Sequence, residues 1–249
     1  MYINNVKAII KADTPEGIQD FGFSYEFSKG LNILTGDNSS GKSTVLSCIN
    51  YCLGLEQLIG SKGSNALSPA LHQALNYKGH SYNIYESKCS LGFTANNGKH
   101  YILSRQIKLS DEESFNEIEI QDGSVLFSKF IHSERDHQEQ GFYRWLAQVN
   151  TLEIIEVESF NGGATKPLYM QNIFTLSFIE QTKGWSDLFS MMPSFGIKDP
   201  KQKVVEYCLG LNSLKINMEL DYIKNEKNSV KSEWVQLVNE LNFRTQSLQ

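Results

Sequence analysis

The stretch "NILTGDNSSGKST", Asn32–Thr44, decides how the fold of this 249-residue chain is interpreted. Gly36, Gly41, Lys42 and Ser43 fill the fixed positions of the pattern G-x-x-x-x-G-K-[ST]. The short apolar run "GLNILTG" suits a buried strand, and "KSTVLSCINYCLGL" carries apolar residues at helical spacing. The sequence therefore predicts a strand, a glycine-bracketed turn and a helix, in the order that a phosphate-binding loop requires.

The chemistry of such a loop follows from its backbone. Glycines let the N–H groups point inward at phosphate oxygens, and the helix N-terminus adds partial positive charge. Lys42 is predicted to reach the β- and γ-phosphates of a nucleotide, and the Ser43 hydroxyl to ligate Mg²⁺. The predicted nucleotide-binding residues are Gly36, Asp37, Asn38, Ser39, Ser40, Gly41, Lys42, Ser43 and Thr44.

The composition restricts the possible classes of protein. A hydrophobic fraction of 40% is ample for a core, and a formal net charge of -5 disfavours a bulk electrostatic hold on nucleic acid. Of the four cysteines, Cys48 and Cys52 share a helix face and are predicted to be small core residues rather than metal or redox groups. Without a long apolar run or a signal peptide, the chain is predicted to be soluble and cytoplasmic, with no membrane partner.

The pattern after the first helix is mostly β. Asn97-Gly98 and Asp122-Gly123 each separate two strand-like runs, as hairpin turns do. "PALHQAL" is predicted to be a short helix, and so is "FYRWLAQV". Arg105, on one of the predicted strands, is interpreted as a solvated cation at a strand edge.

The last stretch has a different character. Ten positions are spaced alternately four and three residues apart, and eight of them are apolar. This is the pattern of the a and d positions that form the seam of a coiled coil. No Gly or Pro lies between Leu211 and Gln249. We expect an N-terminal lobe over residues 1–212 and the start of a coiled-coil arm over 213–249 that continues beyond the chain; an ordinary amphipathic helix is the alternative. The seam positions are Ile216, Leu220, Ile223, Lys227, Val230, Trp234, Leu237, Leu241, Arg244 and Leu248.

The segment "LNILTGDNSSGKSTVLSCINYCLG" resembles the N-terminal signature of ABC-type ATPase heads of the SMC and RecN family. It looks closest to the double-strand-break repair branch that works with a nuclease, and an anti-phage defence protein of the same kind is a related possibility. Ser39 departs from the family, which has a glycine there. The residues that match are Asn32, Gly36, Asn38, Ser40, Gly41, Lys42, Ser43 and Gly54.

The resemblance implies an α/β ABC-type phosphate-loop ATPase lobe with ATP and Mg²⁺ as cofactors. We expect a mixed sheet with the phosphate loop at the end of one strand, an antiparallel β-subdomain and an emerging coiled coil. "LSFIEQTKGW" resembles the family's Q-loop, so Gln181 would contact Mg²⁺ and the attacking water. Lys42 and Gln181 are then the catalytic residues, and Ser43 and Gln181 the metal ligands; an ordinary loop glutamine is the alternative for Gln181.

Two motifs that such an ATPase needs are not found. The nearest run to a Walker B strand, "LEIIEVES", has no Asp-Glu, and "LSPAL" lacks the glycines of an ABC signature. Because the family carries both motifs in a C-terminal lobe, the chain is expected to be half of a head. Alone it should bind nucleotide weakly or not at all and should not hydrolyse it.

The leading interpretation is an ATP-driven clamp that dimerises on ATP and acts on DNA, in repair, chromosome organisation or defence against foreign DNA. Its expected partners are a second head, the C-terminal lobe, DNA, and a nuclease or other effector subunit. One alternative is a structural module for nucleotide-dependent dimerisation or tethering. The other is a small-molecule kinase or GTPase, which the lack of an N-K-x-D guanine motif and the terminal heptads disfavour.

Overall fold

The computed structural model describes residues 1–38, 40–60, 63–109, 116–131, 140–160, 165–179, 185–189 and 191–246. The chain divides into two compact units. The first unit comprises Met1–Glu153 and Phe174–Pro193, and the second comprises Ile154–Ile173 and Ser194–Gln249. No helix in these described ranges is both long and apolar enough to cross a lipid bilayer.

Strands dominate the first unit, and helices dominate the second. The elements in chain order are β1 (Tyr2–Thr14), β2 (Gly17–Glu26), α1 (Lys42–Cys52), β3 (Ala74–Tyr77), β4 (His80–Thr94), β5 (His100–Lys108), β6 (Glu117–Asp122), β7 (Val125–Phe130), α2 (Phe142–Val149), β8 (Glu156–Glu158), β9 (Thr165–Pro167), α3 (Met170–Phe174), α4 (Pro200–Cys208) and α5 (Asn212–Gln246). Short 3₁₀ turns occupy Glu56–Ile59, Gly63–Ala66, Pro69–Leu71 and Thr175–Ser177.

Seven strands of the described residues form one antiparallel sheet in the order β2-β1-β4-β5-β6-β7, with β3 paired to β4. Alternate side chains of β1 are buried, because successive residues of a strand point to opposite faces of the sheet. Val6, Ala8 and Ile10 lie on the covered face, while Lys7 and Lys88 are exposed on the other. Such alternation is typical of an antiparallel sheet with one solvated face.

The helices α1 and α2 cover the buried face of this sheet. The Sγ atom of Cys52, on α1, lies 3.1 Å from the Sγ atom of Cys89 on β4. On α2, the Trp145 ring packs edge-on against Phe93 and Tyr101, with ring centroids 6.3 and 5.2 Å away. The core of the first unit therefore lies between this face and the two helices.

The predicted hairpins are confirmed. The turn Asn97-Gly98 joins β4 to β5, and Asp122-Gly123 joins β6 to β7. The β-prone runs "YINNVKAII" and "FGFSYEFS" also predict strands, and they form β1 and β2, with their turn at residues 15–16.

The predicted strand "GLNILTG" is wrong, since residues 30–36 belong to no strand. Their side chains explain why: Leu31 is 86% exposed and Ile33 is 72% exposed, so no sheet covers this run. A buried strand needs neighbours on both sides, and β1, β2 and β4 pair with each other instead. The expected mixed sheet is not found either, because every ladder between the described strands is antiparallel.

The predicted helix "PALHQAL" is wrong as well. Pro69–Leu71 form one 3₁₀ turn, and the chain then enters β3 at Ala74. A propensity for helix over so few residues is weak, and pairing with β4 outweighs it here.

The second unit is built around α5. A two-stranded ladder of β8 and β9 and the helix α4 precede it, and the Nζ atom of Lys198 lies 2.9 Å from a carboxylate oxygen of Glu158. The 35-residue α5 confirms a long helix. Seven of the eight apolar seam residues are described, and all seven are exposed: Ile216, Leu220, Ile223, Val230, Trp234, Leu237 and Leu241. A coiled-coil partner for this seam, and the division at residue 212, stay predictions.

Candidate functional site

The predicted phosphate loop lies at the N-terminus of α1, which begins at Lys42. Gly41 caps the helix with φ of 88°, a left-handed conformation that side chains with a Cβ rarely adopt. The amide of Val45 donates to the Gly41 carbonyl at 3.1 Å, which closes the first helical turn. The amide of Ser40 donates to the Asp37 carbonyl at 3.3 Å, so the loop makes a tight turn just before the helix.

The side chain of Lys42 folds back into this loop. Its Nζ atom donates to the carbonyl oxygens of Gly36 and Asp37, at 2.8 and 2.6 Å. A third contact, at 3.3 Å, reaches the Oγ atom of Ser40. The ammonium group is therefore held by the loop residues that were predicted to surround a phosphate group, and an anion that binds it would replace these contacts.

The structure places the other predicted residues as follows. Ser43 is exposed in the first turn of α1, and Thr44 beside it is half-buried. Ser39 and Gln181 lie outside the described residues, so the predicted Q-loop contact stays a prediction. No group of three or more His, Cys, Asp or Glu side chains in the described part of the chain could hold a metal ion. A Mg²⁺ ion bound by one hydroxyl together with nucleotide phosphates needs no such group.

A buried ion pair anchors the far end of α1. The guanidinium group of Arg105, on β5, donates to a carboxylate oxygen of Glu56 at 2.9 Å and to the carbonyl of Tyr51 at 2.8 Å. It also lies over the Tyr51 ring, 3.9 Å from the ring centroid. Burial is the largest single effect and lowers the pKa of the Arg105 guanidinium group, but the charge and hydrogen bond of Glu56, together with Tyr51 and Tyr143, more than offset it, so the pKa is raised.

The interpretation of Arg105 as a solvated strand-edge cation is wrong, because it is 2% exposed. It faces the core on β5, and its partner Glu56 follows α1. A cation near a helix C-terminus also interacts favourably with the helix dipole. Arg105 therefore fixes the end of α1 opposite to the phosphate loop.

Three cysteines meet where α1 packs on β4. Cys48, Cys52 and Cys89 are all fully buried, as the sequence predicted for the first two. The contact with Cys89 together with burial raises the pKa of the Cys48 thiol, and burial raises the pKa of the Cys89 thiol. These two thiols stay protonated and serve as core packing.

A pocket of about 790 Å³ opens beside the phosphate loop. Ser40, Gly41 and Thr44 form the end next to the loop, and the inner face of β2 forms one wall. Ser68–Leu71 and β3 also line it. This volume is in the range of small-molecule sites, so the pocket offers room for the rest of a nucleotide whose phosphates lie in the loop.

Comparison with known protein families gives one match, to the model of an AAA domain, over residues 1–246. The chain belongs to the AAA domain family. No curated protein matches it significantly. Membership supports nucleotide binding and ATPase chemistry with ATP and Mg²⁺ in general terms, and it agrees with the mixed helix and strand content and the large antiparallel sheet.

Reasoning from the sequence missed two parts of this AAA domain. The ion pair joins residues 49 positions apart, and no local pattern shows such a contact. The second part is the set of aromatic side chains with which β2 lines the pocket, and the sequence did carry a signal for it: in "FGFSY", Phe21, Phe23 and Tyr25 alternate, which places them on one face of a strand.

Proposed function

We propose that this AAA domain is the ATP-binding half of an SMC-like ATPase that dimerises on ATP and acts on DNA. The phosphate loop, the inward position of Lys42 and the adjoining pocket support ATP binding. The resemblance of "LNILTGDNSSGKSTVLSCINYCLG" to SMC and RecN heads supports the choice within the wider family. Action on DNA, in repair, chromosome organisation or defence, rests on that resemblance.

Residues 31–36, just before the phosphate loop, support the proposal that the ATPase site is completed by a second lobe. Leu31 and Ile33 lie in water, although burying such side chains is worth roughly 1.5–3 kcal/mol each. Exposed apolar side chains close together in the chain form an adhesive surface that proteins usually cover. We infer that a strand of a second lobe pairs with residues 31–36 and completes a sheet beside the loop.

That second lobe would bring the groups that hydrolysis requires. Lys42 supplies positive charge for phosphate, and Gln181 is proposed to orient water and Mg²⁺. A Walker B carboxylate and a signature motif would come from the partner lobe, and the second head would close the site. The exposed seam of α5 would form the coiled-coil arm. A nuclease or other effector subunit would act on the bound DNA.

Nucleotide binding is tested by equilibrium dialysis of the full chain with Mg-ATP. Removing the Lys42 charge should weaken binding about tenfold or more, since hydrogen bonds to charged groups contribute about 1.5–3 kcal/mol. Lys88→Ala is the matched control, because Lys88 is exposed on the solvated face of the sheet. Measurable binding with equal affinities for wild type and Lys42→Ala would contradict the proposal.

Composite hydrolysis is tested by phosphate release from the same protein. The wild-type chain should show a rate at the level of Lys42→Ala. A faster rate that depends on Lys42 would show that the chain hydrolyses ATP without a second lobe, and the composite site would then be wrong.

A further inference from the structure

The second unit has a pocket of its own, of about 350 Å³, beside the end of β8. Every described residue that lines it belongs to this unit. Its volume lies at the small end of the range of ligand sites. The lining residues are Ser159, Phe160, Lys166, Ser194, Gly196 and Ile197.

A tight turn forms part of this pocket and is fixed to the chain that follows β8. The amide of Ile197 donates to the Ser194 carbonyl at 2.9 Å, which closes the turn. Between them, Phe195 and Gly196 have φ of 46° and 69°. The amide of Phe160 donates to the Gly196 carbonyl at 2.7 Å. A phenylalanine rarely adopts a positive φ, and such conformations persist where the surrounding structure holds them, often at ligand sites.

Lys166 brings a positive charge to this turn. Its Nζ atom donates to the Phe195 carbonyl at 2.9 Å. A Cβ atom at Gly196 would lie 2.9 Å from the same Nζ atom, so only a glycine lets the ammonium group lie this close to the turn. An ammonium group has three donor hydrogens, and one of them is used within the described part of the chain. The other two are available to an anionic ligand.

A buried hydroxyl group lines the same pocket. Ser159 is 8% exposed, and its hydroxyl makes no hydrogen bond with any residue that the structure describes. Buried polar groups nearly always have a partner, so a buried hydroxyl that lines a cavity without one points to a ligand in that cavity. Ser194, in the turn, adds a second hydroxyl group.

The charges around the pocket select a ligand with a single negative charge. Of the described residues that line it, only Lys166 is charged. Lys198, which follows the lining residue Ile197, is paired with Glu158 at 2.9 Å. A carboxylate therefore matches the available cation, whereas a phosphate dianion would keep one charge without a partner.

The remaining lining is apolar. The side chain of Phe160 is 76% exposed, and Ile197 is buried. An apolar group attached to the carboxylate would gain contact with both side chains and would cover part of the exposed ring.

We propose that this pocket binds a small carboxylic acid with an apolar body. Its carboxylate accepts hydrogen bonds from Lys166 and Ser159, and its apolar body packs against Phe160 and Ile197. The site is separate from the phosphate loop and does not depend on the proposed nucleotide function.

The probe is 4-fluorophenylacetate, and its binding to the full chain is followed by fluorine NMR up to about 10 mM, which detects weak affinities. Lys166→Met should weaken binding at least about tenfold, since it removes the charge and keeps the length of the side chain. Ser159→Ala should weaken binding about threefold, and because it removes only one oxygen atom, it remains a valid test if Lys166→Met is unstable. The neutral 4-fluorophenylacetamide should bind at least about fivefold more weakly than the acid.

Lys231→Met is the matched control, because Lys231 is exposed on α5 and lies outside the pocket lining. It should bind the probe like wild type, and so should Lys42→Ala, which separates this site from the phosphate loop. No saturable binding to wild type, equal affinity in Lys166→Met and Ser159→Ala, or equal binding of the amide would overturn the proposal. Displacement of the probe by an equal concentration of inorganic phosphate would also overturn it, since the site would then bind anions in general.

Discussion

Replacing Arg105 by methionine should lower the free energy of unfolding of the first unit by about 3–5 kcal/mol, because it removes the guanidinium group that pairs with a buried carboxylate. The side chains of Arg105 and Glu56 are 1% and 0% exposed, so solvent cannot screen the charge that remains. Methionine fills much of the volume of the arginine stem. The loss should therefore come from electrostatics and hydrogen bonding, and only a small part from a cavity.

The size of the coupling is measured by a double-mutant cycle. Glu56→Leu should also destabilise strongly, because the guanidinium group would then lie buried with the Tyr51 carbonyl as its acceptor. The double variant Arg105→Met, Glu56→Leu removes both charges and should regain most of the loss. We expect the sum of the two single losses in unfolding free energy to exceed the loss in the double variant by about 3 kcal/mol or more.

The assay is urea unfolding followed by tryptophan fluorescence and circular dichroism, with linear extrapolation to water. Lys99→Met is the control, since Lys99 and Asp122 form a solvent-screened surface pair whose loss should change the free energy of unfolding far less than Arg105→Met does. Additive single effects, or a loss below about 1 kcal/mol for Arg105→Met, would refute the assigned role of the pair.

The pH dependence has a defined sign. The pKa of Arg105 is raised in the folded protein, so its stabilisation is fully present at every pH below the range in which a free arginine side chain titrates and is lost only above that range. The contribution of the pair should therefore be constant between about pH 6 and 9. A steep change in the coupling energy over that range would show that another group titrates with it.

Three further outcomes follow from the structure. At pH 8, a disulfide reagent should modify only the exposed thiol of Cys208 in the native chain, because the other three thiols are buried. All four thiols should react in guanidinium chloride. The variant Cys208→Ser should lose the fast reaction of the native chain. Gly22→Ala should lower the free energy of unfolding by about 1–3 kcal/mol, since the added Cβ would clash with the backbone of β1. Ser24→Ala, on the same face of β2, should change the free energy of unfolding little. Equal losses for the two variants would contradict this explanation. Val230→Asp, on the exposed face of α5, should abolish concentration-dependent association measured by sedimentation without lowering helicity, and unchanged sedimentation would exclude the seam as an interface.

Local signals in the sequence predicted the parts of the fold that depend on neighbouring residues. The turn at Asn97-Gly98 needs a left-handed glycine, and α1 begins at Lys42 because Gly41 supplies the cap, so both are visible in a few letters. The length of α5 is also local, because neither Gly nor Pro interrupts it.

The errors concern residues whose state depends on distant partners. Leu31 and Ile33 are apolar and β-prone, as residues of a buried strand are. Burial also requires neighbouring strands, and the strands β1, β2 and β4 pair with each other instead. Arg105 is charged, and only the presence of Glu56 in space makes its burial favourable. Composition and periodicity carry no information about such pairings.

The position of Lys42 sets a threshold for entry into the phosphate loop. Its ammonium group already satisfies its donors on the Gly36 and Asp37 carbonyls and on Ser40, so an arriving anion must replace those contacts before it gains anything. A small, weakly charged anion offers little in exchange, whereas a polyphosphate brings several oxygens and more charge at once. We therefore expect the loop to bind polyphosphates in preference to simple anions of low charge.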